Sequence, residues 1–179
     1  GLNDALEMHR HPLPTPDEIF ARLNQGAWFT QIDFADAYLQ IEVENDSKEL
    51  LTINTTKGLF QYQRLPFGVK RAPDIFQEAM DSMTSGLEGR AAYLDDVIVT
   101  GATLEEHNKN VHALFKRIAD FGFHLRVEKC SFAMKEIKFL GQLINSNGRR
   151  PDPEKVDAIA RMPEPMDKKQ LKSFLGMIS

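Results

Sequence analysis

Ala91, Ala92, Tyr93, Leu94, Asp95, Asp96, Val97, Ile98, Val99 and Thr100 form the stretch on which the fold of this chain turns. Apolar and β-branched residues flank two adjacent acids, which predicts two short strands meeting at a tight turn that carries both carboxylates. Asp is common in turns, so the pair alone has an ordinary structural explanation. Adjacent carboxylates on a rigid turn also repel one another, and a divalent cation relieves that repulsion. The surrounding sequence decides between the two.

Upstream, Trp28 to Phe34 predicts a strand with apolar residues on both faces, hence a central, covered one. It ends at Asp33, an acid that is costly in such a place unless it is paired, protonated or bound to metal. Asp36, Ala37 and Tyr38 turn the chain, and Asp36 and Tyr38 also read plainly as a turn residue and a core aromatic. Strand-like alternation resumes over Leu39 to Val43. A β-meander follows, with a turn at Asn45 to Ser47, a strand over Leu51 to Thr55, a turn at Lys57 and Gly58, and a strand over Leu59 to Arg64. Beyond a loop from Leu65 to Pro73, Pro73 and Asp74 open a helix with a stripe of Ile75, Phe76, Ala79, Met80 and Met83.

Downstream, Thr103 and Glu106 match a capping box, and Val111, Leu114, Phe115, Ile118 and Phe121 recur at helical spacing until Gly122. His107 and His112 fall on different faces of that helix and read as solvated. Leu125 to Val127 predicts a further strand, Ile137 to Gly141 and Leu143 to Ile144 a strand pair, and Asp152 and Asp167 each open a short helix, the second carrying Leu171, Phe174, Leu175 and Ile178. At the other end His9 to Pro16, with three prolines, reads as an extended lead-in before a helix opened by Thr15, Pro16 and Glu18. His9 and His11 have no second ligand cluster beside them and read as loop residues.

In order, the central elements run strand, insertion, helix, two hairpin strands, helix, strand: the β-α-β-β-α-β order of a ferredoxin-like α+β unit. First and third strands are neighbours in that topology, so Asp33 approaches Asp95 and Asp96. Three oxygen-donor acids on one rim suit Mg²⁺ or Mn²⁺ rather than zinc. Two such ions about 4 Å apart are the apparatus of in-line phosphoryl displacement.

Composition sets the outer bounds. With 179 residues, 42% hydrophobic and 27% charged, the chain has material for a sizeable core. A net charge of −4 and a pI of about 5.8 give no global attraction to nucleic acid, so any polyanion contact is local. The single Cys130 excludes an intrachain disulfide and fits a reducing compartment. No apolar run approaches the roughly 20 residues that span a bilayer, and no signal peptide is visible, so no membrane partner is expected. A start at Gly1 and an end at Ser179 within a helical pattern point to a piece of a longer polypeptide.

The Y-L-D-D of Tyr93 to Asp96, the D-F-A-D-A-Y of Asp33 to Tyr38 and the L-P-F-G-V-K-R-A-P of Leu65 to Pro73 resemble, in order and spacing, three core motifs of reverse transcriptases. The F-L-G of Phe139 to Gly141 is similar to the family's primer grip. Asp152 to Val156 and Ser173 to Gly176 resemble the thumb entry of LTR retrotransposons of the Ty3/gypsy group. The resemblance implies a palm at 28–43 and 71–148, a fingers insertion at 44–70, a lead-in at 1–27 and the start of a helical thumb at 149–179. It implies an RNA-directed DNA polymerase, a nucleotidyltransferase within a Pol polyprotein, whose partners are an RNA or DNA template with primer, a dNTP, and protease, RNase H and integrase regions. It further implies an intracellular setting in cytoplasmic virus-like particles.

Carried over by position, Asp33, Asp95 and Asp96 match the catalytic acids, with two Mg²⁺ or Mn²⁺ ions held by Asp33, Asp95 and the backbone of Phe34, and Asp96 a less direct ligand. Asp36 and Ala37 match amides facing the triphosphate, Tyr38 the steric gate against a ribose 2'-hydroxyl, and Phe67 and Gly68 the border of the nucleotide pocket. Lys70, Arg71, Tyr93, Phe139, Leu140 and Gly141 match nucleic-acid contacts, Lys70 and Arg71 reading equally well as a solvated loop. Lys116, Arg117, Arg126, Lys129, Lys135 and Lys138 supply a local basic cluster, read either as a phosphate-binding face or as a solvated one. The basic fingers segment expected before Asp33 is missing, which predicts weak processivity. Another palm polymerase and an inactive, domesticated relic of the same fold are the alternative readings.

Overall fold

The computed structural model describes residues 2–6, 11–24 and 26–178. The chain opens with α1 (Leu2–Ala5) and α2 (Pro16–Leu23). α2 starts where the sequence predicts because Thr15 and Glu18 bond reciprocally: the Glu18 amide donates to Thr15 Oγ1 at 3.3 Å, and the Thr15 amide to Glu18 Oε2 at 2.7 Å. Then come β1 (Trp28–Asp33), α3 (Asn45–Lys48), the ribbon β2 (Thr52–Thr55) and β3 (Gly58–Gln61), and α4 (Ala72–Thr84). The hairpin forms as β4 (Arg90–Tyr93) and β5 (Asp96–Gly101), followed by α5 (Leu104–Phe121) and β6 (Ser131–Met134). β7 (Glu136–Phe139), β8 (Gln142–Asn145) and β9 (Gly148–Pro151) make a separate sheet, and α6 (Pro153–Ala160) and α7 (Lys168–Ile178) complete the chain.

The main sheet has the order β4-β5-β1-β6, so the first and third strands of the βαββαβ unit are neighbours. Their antiparallel register runs from Trp28 opposite Gly101 to Asp33 opposite Asp96. One face packs Ile32, Phe34, Ala92, Val97 and Val99 against Phe76, Met80 and Met83 of α4 and Leu114 and Ile118 of α5. The other packs Phe29, Ala91 and Ile98 against Ile19, Phe20 and Leu23 of α2 and Ile137, Phe139 and Ile144 of the small sheet. Covering on both faces explains why β1 lacks a polar side.

Several expectations fail for tertiary reasons. Leu39 to Val43 is not a strand: Ala37–Gln40 is a 3₁₀ turn, and only Glu42 bridges, to Arg64. Asp36 in the left-handed region (φ 50°) lifts the chain off the sheet, and Gln40 Nε2 holds it there on the carbonyls of Ala35 and His124. The turn at Asn45 is a short helix, α3, continued by a 3₁₀ turn over Glu49–Leu51. The last strand of the unit is not Leu125 to Val127. Leu125 makes a single bridge to Phe34, Val127–Lys129 is 3₁₀, and β6 pairs with β1 instead, interrupted by a register shift and by Ala133 at φ 50°. That irregularity breaks the alternation by which a strand is recognised. β9 adds an unanticipated third strand to the pair at Ile137 to Ile144 and takes in Arg149 and Arg150.

Two histidines are also placed differently. His107 is 2% exposed, its Nε2 2.9 Å from Thr30 Oγ1. α5 lies so close on the end of β5 that a Cβ at Gly101 would stand 2.4 Å from the His107 nitrogen, and this contact turns His107 inward. His112 is exposed as expected, and His9 lies outside the described residues. His11 is not a free loop residue, for its Nε2 sits 2.7 Å from Asp81 Oδ2. Among the described residues no helix is long and apolar enough to cross a membrane.

Candidate active site

The β4–β5 ladder closes at Tyr93 opposite Asp96, leaving Leu94 and Asp95 as a two-residue turn. Leu94 sits at φ 52°, a position such turns ordinarily give to Gly or Asn. Its amide donates to Gln77 Oε1 at 2.7 Å, a contact from α4 that holds the turn. Asp33, Asp95, Phe34, Asp36, Ala37, Tyr38, Phe67, Arg126 and Lys129 line one cleft of about 270 Å³.

The three acids are not equivalent. Asp33 Oδ1 is buried with no hydrogen-bond partner, an arrangement that asks for a cation. The Asp33 amide donates to Cys130 Sγ at 3.4 Å, fixing the end of β1. Asp95 is exposed and lines the same cleft. Asp96 is half-buried, accepts from Gln31 Nε2 at 3.3 Å and does not line the cleft. Burial pushes its carboxyl up, the Gln31 bond opposes this, and the charges of Asp95 and Asp33 add to the rise. Among the described residues no three His, Cys, Asp or Glu side chains form a ready-made metal cluster; Asp33 and Asp95 share the cleft, and Asp96 stands next to it on β5.

Tyr38 lies between Phe67 and Phe76, at ring-centroid distances of 5.2 and 5.5 Å. Burial, and then the Asp95 charge, hold its phenol above the ordinary range. Phe67 is 64% exposed and Gly68 turns the loop at φ 91°. α1 pins that loop: Asn3 Nδ2 donates to the Gly68 carbonyl at 3.0 Å, and the Lys70 amide to Asn3 Oδ1 at 2.8 Å. Lys70 is exposed and Arg71 is half-buried at the start of α4. Tyr93 and Phe139 join the core on the other face of the sheet and do not line the cleft. Leu140 and Gly141, at φ 46° and 75°, form the β7–β8 turn, and Gly141 accepts the Asp152 amide at 3.1 Å.

The basic cluster is dispersed. Lys135 lies 3.3 Å over the Trp28 ring, and Lys138 pairs with Asp152 at 2.5 Å and Glu154 at 2.7 Å. Arg126 and Lys129 instead reach the acid-lined cleft, where Arg126 Nη2 is 3.2 Å from Asp36 Oδ1. In the sequence these two stand only within a basic run, and no motif marks Gln77 or the contact of Cys130 with Asp33. A run of basic residues gives no sign of which members turn toward a cleft supplied by another segment.

A family model described as reverse transcriptase (RNA-dependent DNA polymerase) matches residues 2–144. An uncharacterized protein of Caenorhabditis elegans is 49% identical over 98% of this chain and 14% of its own length. The Pol polyproteins of the Drosophila melanogaster transposons 297 and gypsy are 36% and 32% identical over 98% and 99% of this chain, each over 17% of its own length. The chain thus spans about a sixth of these relatives. In structure it is similar to a foamy viral protease-reverse transcriptase in complex with double-stranded DNA, with a TM-score of 0.91 at 23% identity over 98% of this chain and 31% of that one. The sheet order, the acids at its rim and these likenesses agree: the chain belongs to the reverse transcriptase family, and its relatives are retrotransposon Pol polyproteins.

Proposed function

We propose that this chain is the core of an RNA-directed DNA polymerase, adding deoxynucleotides to a primer 3'-hydroxyl. The observation that carries the reading is the unpartnered, buried Asp33 Oδ1 in a cleft that Asp95 also lines. Oxygen donors of this kind fit Mg²⁺ or Mn²⁺. Asp33, Asp95 and the Phe34 carbonyl would hold two ions, with Asp96 beside them. Ions held there would supply Lewis acidity to the attacking hydroxyl and to the leaving pyrophosphate.

The protein's own groups position the substrates. Tyr38, wedged between two rings, excludes a 2'-hydroxyl; Phe67 and Gly68 border the nucleotide; Asp36 and Ala37 present backbone to the triphosphate. Arg126 and Lys129 place positive charge in the same cleft. Lys70, Arg71 and the turn of Leu140 and Gly141 are assigned to the template and primer, which a copying enzyme holds through its backbone, while Tyr93 and the buried Phe139 pack in the core behind them. The ribbon at 44–70 serves as fingers and 149–179 as the entry to a thumb, with protease, RNase H and integrase regions elsewhere in the polyprotein and particles in the cytoplasm as its setting.

The test is primer extension on an RNA template with deoxynucleotides and Mg²⁺ or Mn²⁺, beside Asp95→Asn. Incorporation by the parent that disappears in the variant supports the reading. Incorporation retained by the variant refutes it.

A further inference from the structure

Gln77 is fully buried in α4, and its amide is occupied at both ends. Oε1 accepts the Leu94 amide proton at 2.7 Å, while Nε2 donates to the Ala92 carbonyl at 3.3 Å and to Asp81 Oδ1 at 3.1 Å. Asp81 Oδ2 in turn lies 2.7 Å from His11 Nε2, and the charge of Arg90 also acts on Asp81. The contacts therefore run from the lead-in through α4 to the residue preceding Asp95. An amide can sit either way round, but an ionised carboxylate only accepts. Asp81 thus draws the NH₂ end toward itself and leaves the oxygen facing Leu94.

We infer that Gln77 is a positioning residue for Asp95, oriented by Asp81 and His11. Leu94 stands at φ 52° with no glycine to ease it, so the turn persists only where a neighbour fixes it. Gln77 is that neighbour. By binding on both sides of Tyr93, at Ala92 and Leu94, it holds the turn in the form that keeps Asp95 in the cleft that Asp33 also lines. The inference rests on the reading of Asp33 and Asp95 as metal-holding acids. Nothing in the spacing of residues 77 and 94 announces it, because the contact exists only once α4 packs under β4.

Mn²⁺ binding by this chain, followed by electron paramagnetic resonance, tests it alongside hydrogen exchange of the Leu94 amide. Gln77→Met keeps length and removes every bond; it should speed Leu94 exchange at least tenfold and weaken Mn²⁺ about ten- to a hundredfold, the usual effect of losing an outer contact. Asp81→Leu, at a site one-third exposed, carries the same test if the Met variant melts too low, whereas Asp81→Asn keeps an acceptor and should restore most of the affinity. In primer extension Gln77→Met should lower kcat with the dNTP KM unchanged. A folded variant with parental Leu94 exchange and Mn²⁺ affinity overturns the inference. Asp95→Asn is the separate control: parental Mn²⁺ binding there overturns the metal reading itself, while Leu94 exchange still decides whether Gln77 holds the turn.

Discussion

β1 and the β2–β3 ribbon are both short antiparallel elements with apolar residues, and they end in opposite states. In β1, Phe29 and Ile32 are fully buried, whereas in the ribbon Leu59 is 73% and Phe60 52% exposed. Both are paired, so backbone pairing is not what separates them. β1 has strands on each side and a helix or sheet over each face, while the ribbon is two strands whose residues are all exposed. A two-stranded ribbon is marginal by itself. The chain has therefore put Asp33 at the end of a covered strand and Asp95 and Asp96 at the rim of the strand paired with it.

The largest effect expected from this contrast is at that rim. Asp33→Asn or Asp95→Asn should lower primer extension about a thousandfold or more, the several kcal/mol of transition-state stabilisation that metal ions supply, while the melting temperature stays within a few degrees. Next is a direct comparison of the two regions by urea unfolding. Phe76→Ala removes a fully buried ring packed against Phe34, Tyr38 and Phe123 and should cost about 3–5 kcal/mol, whereas Phe60→Ala in the ribbon should stay within about 0.5 kcal/mol. Equal losses would show that the ribbon is more tightly held than its exposure indicates.

Tyr38→Ala tests the border between buried and exposed parts, because Tyr38 bridges the core ring Phe76 and the exposed Phe67 in the loop between the ribbon and α4. It should raise ribonucleotide incorporation relative to deoxynucleotide about tenfold or more, measured in competition, by opening space where only a clash discriminated. The smallest effect is at the third region, where Lys138 ties β7 to Asp152 at the start of α6. The Asp152 bond pushes Lys138 up to about 12, and the Lys138 bond holds Asp152 below its ordinary 3.8. A depressed acid adds stability above its ordinary value that is lost as pH falls through the folded value; a raised lysine adds stability below 10.5 that is lost as pH rises through about 12. The urea midpoint of the parent minus that of Lys138→Met should thus be flat from about pH 5 to 10 and shrink outside those limits.

Much of the fold was legible because local signals were unambiguous. Thr15 with Glu18, Thr103 before α5, Gly122 after it and the alternating apolar residues around Asp95 each state their structure within a few residues. β6 was not legible, for its register shift and Ala133 at φ 50° destroy the period by which strands are found. His107 was read as solvated because a helix wheel does not know where the neighbouring strand ends. In the site, the acids and Tyr38 stood out as motif residues, while Gln77, Arg126 and Lys129 reach it from segments with no motif of their own.

Sequence alone determined the capped helices, the central hairpin, the βαββαβ order and the placing of acids at strand ends, since propensity, capping and turn chemistry act over a few residues. Only the tertiary structure decided which acid is buried without a partner, which is bonded to Gln31, and which side chain holds the Leu94 turn. Those outcomes depend on contacts across 65 residues for Gln31 with Asp96 and 17 for Gln77 with Leu94, and on which groups packing cuts off from water. Desolvation and long-range hydrogen bonding have no counterpart in local spacing, so they appear only when the layers close.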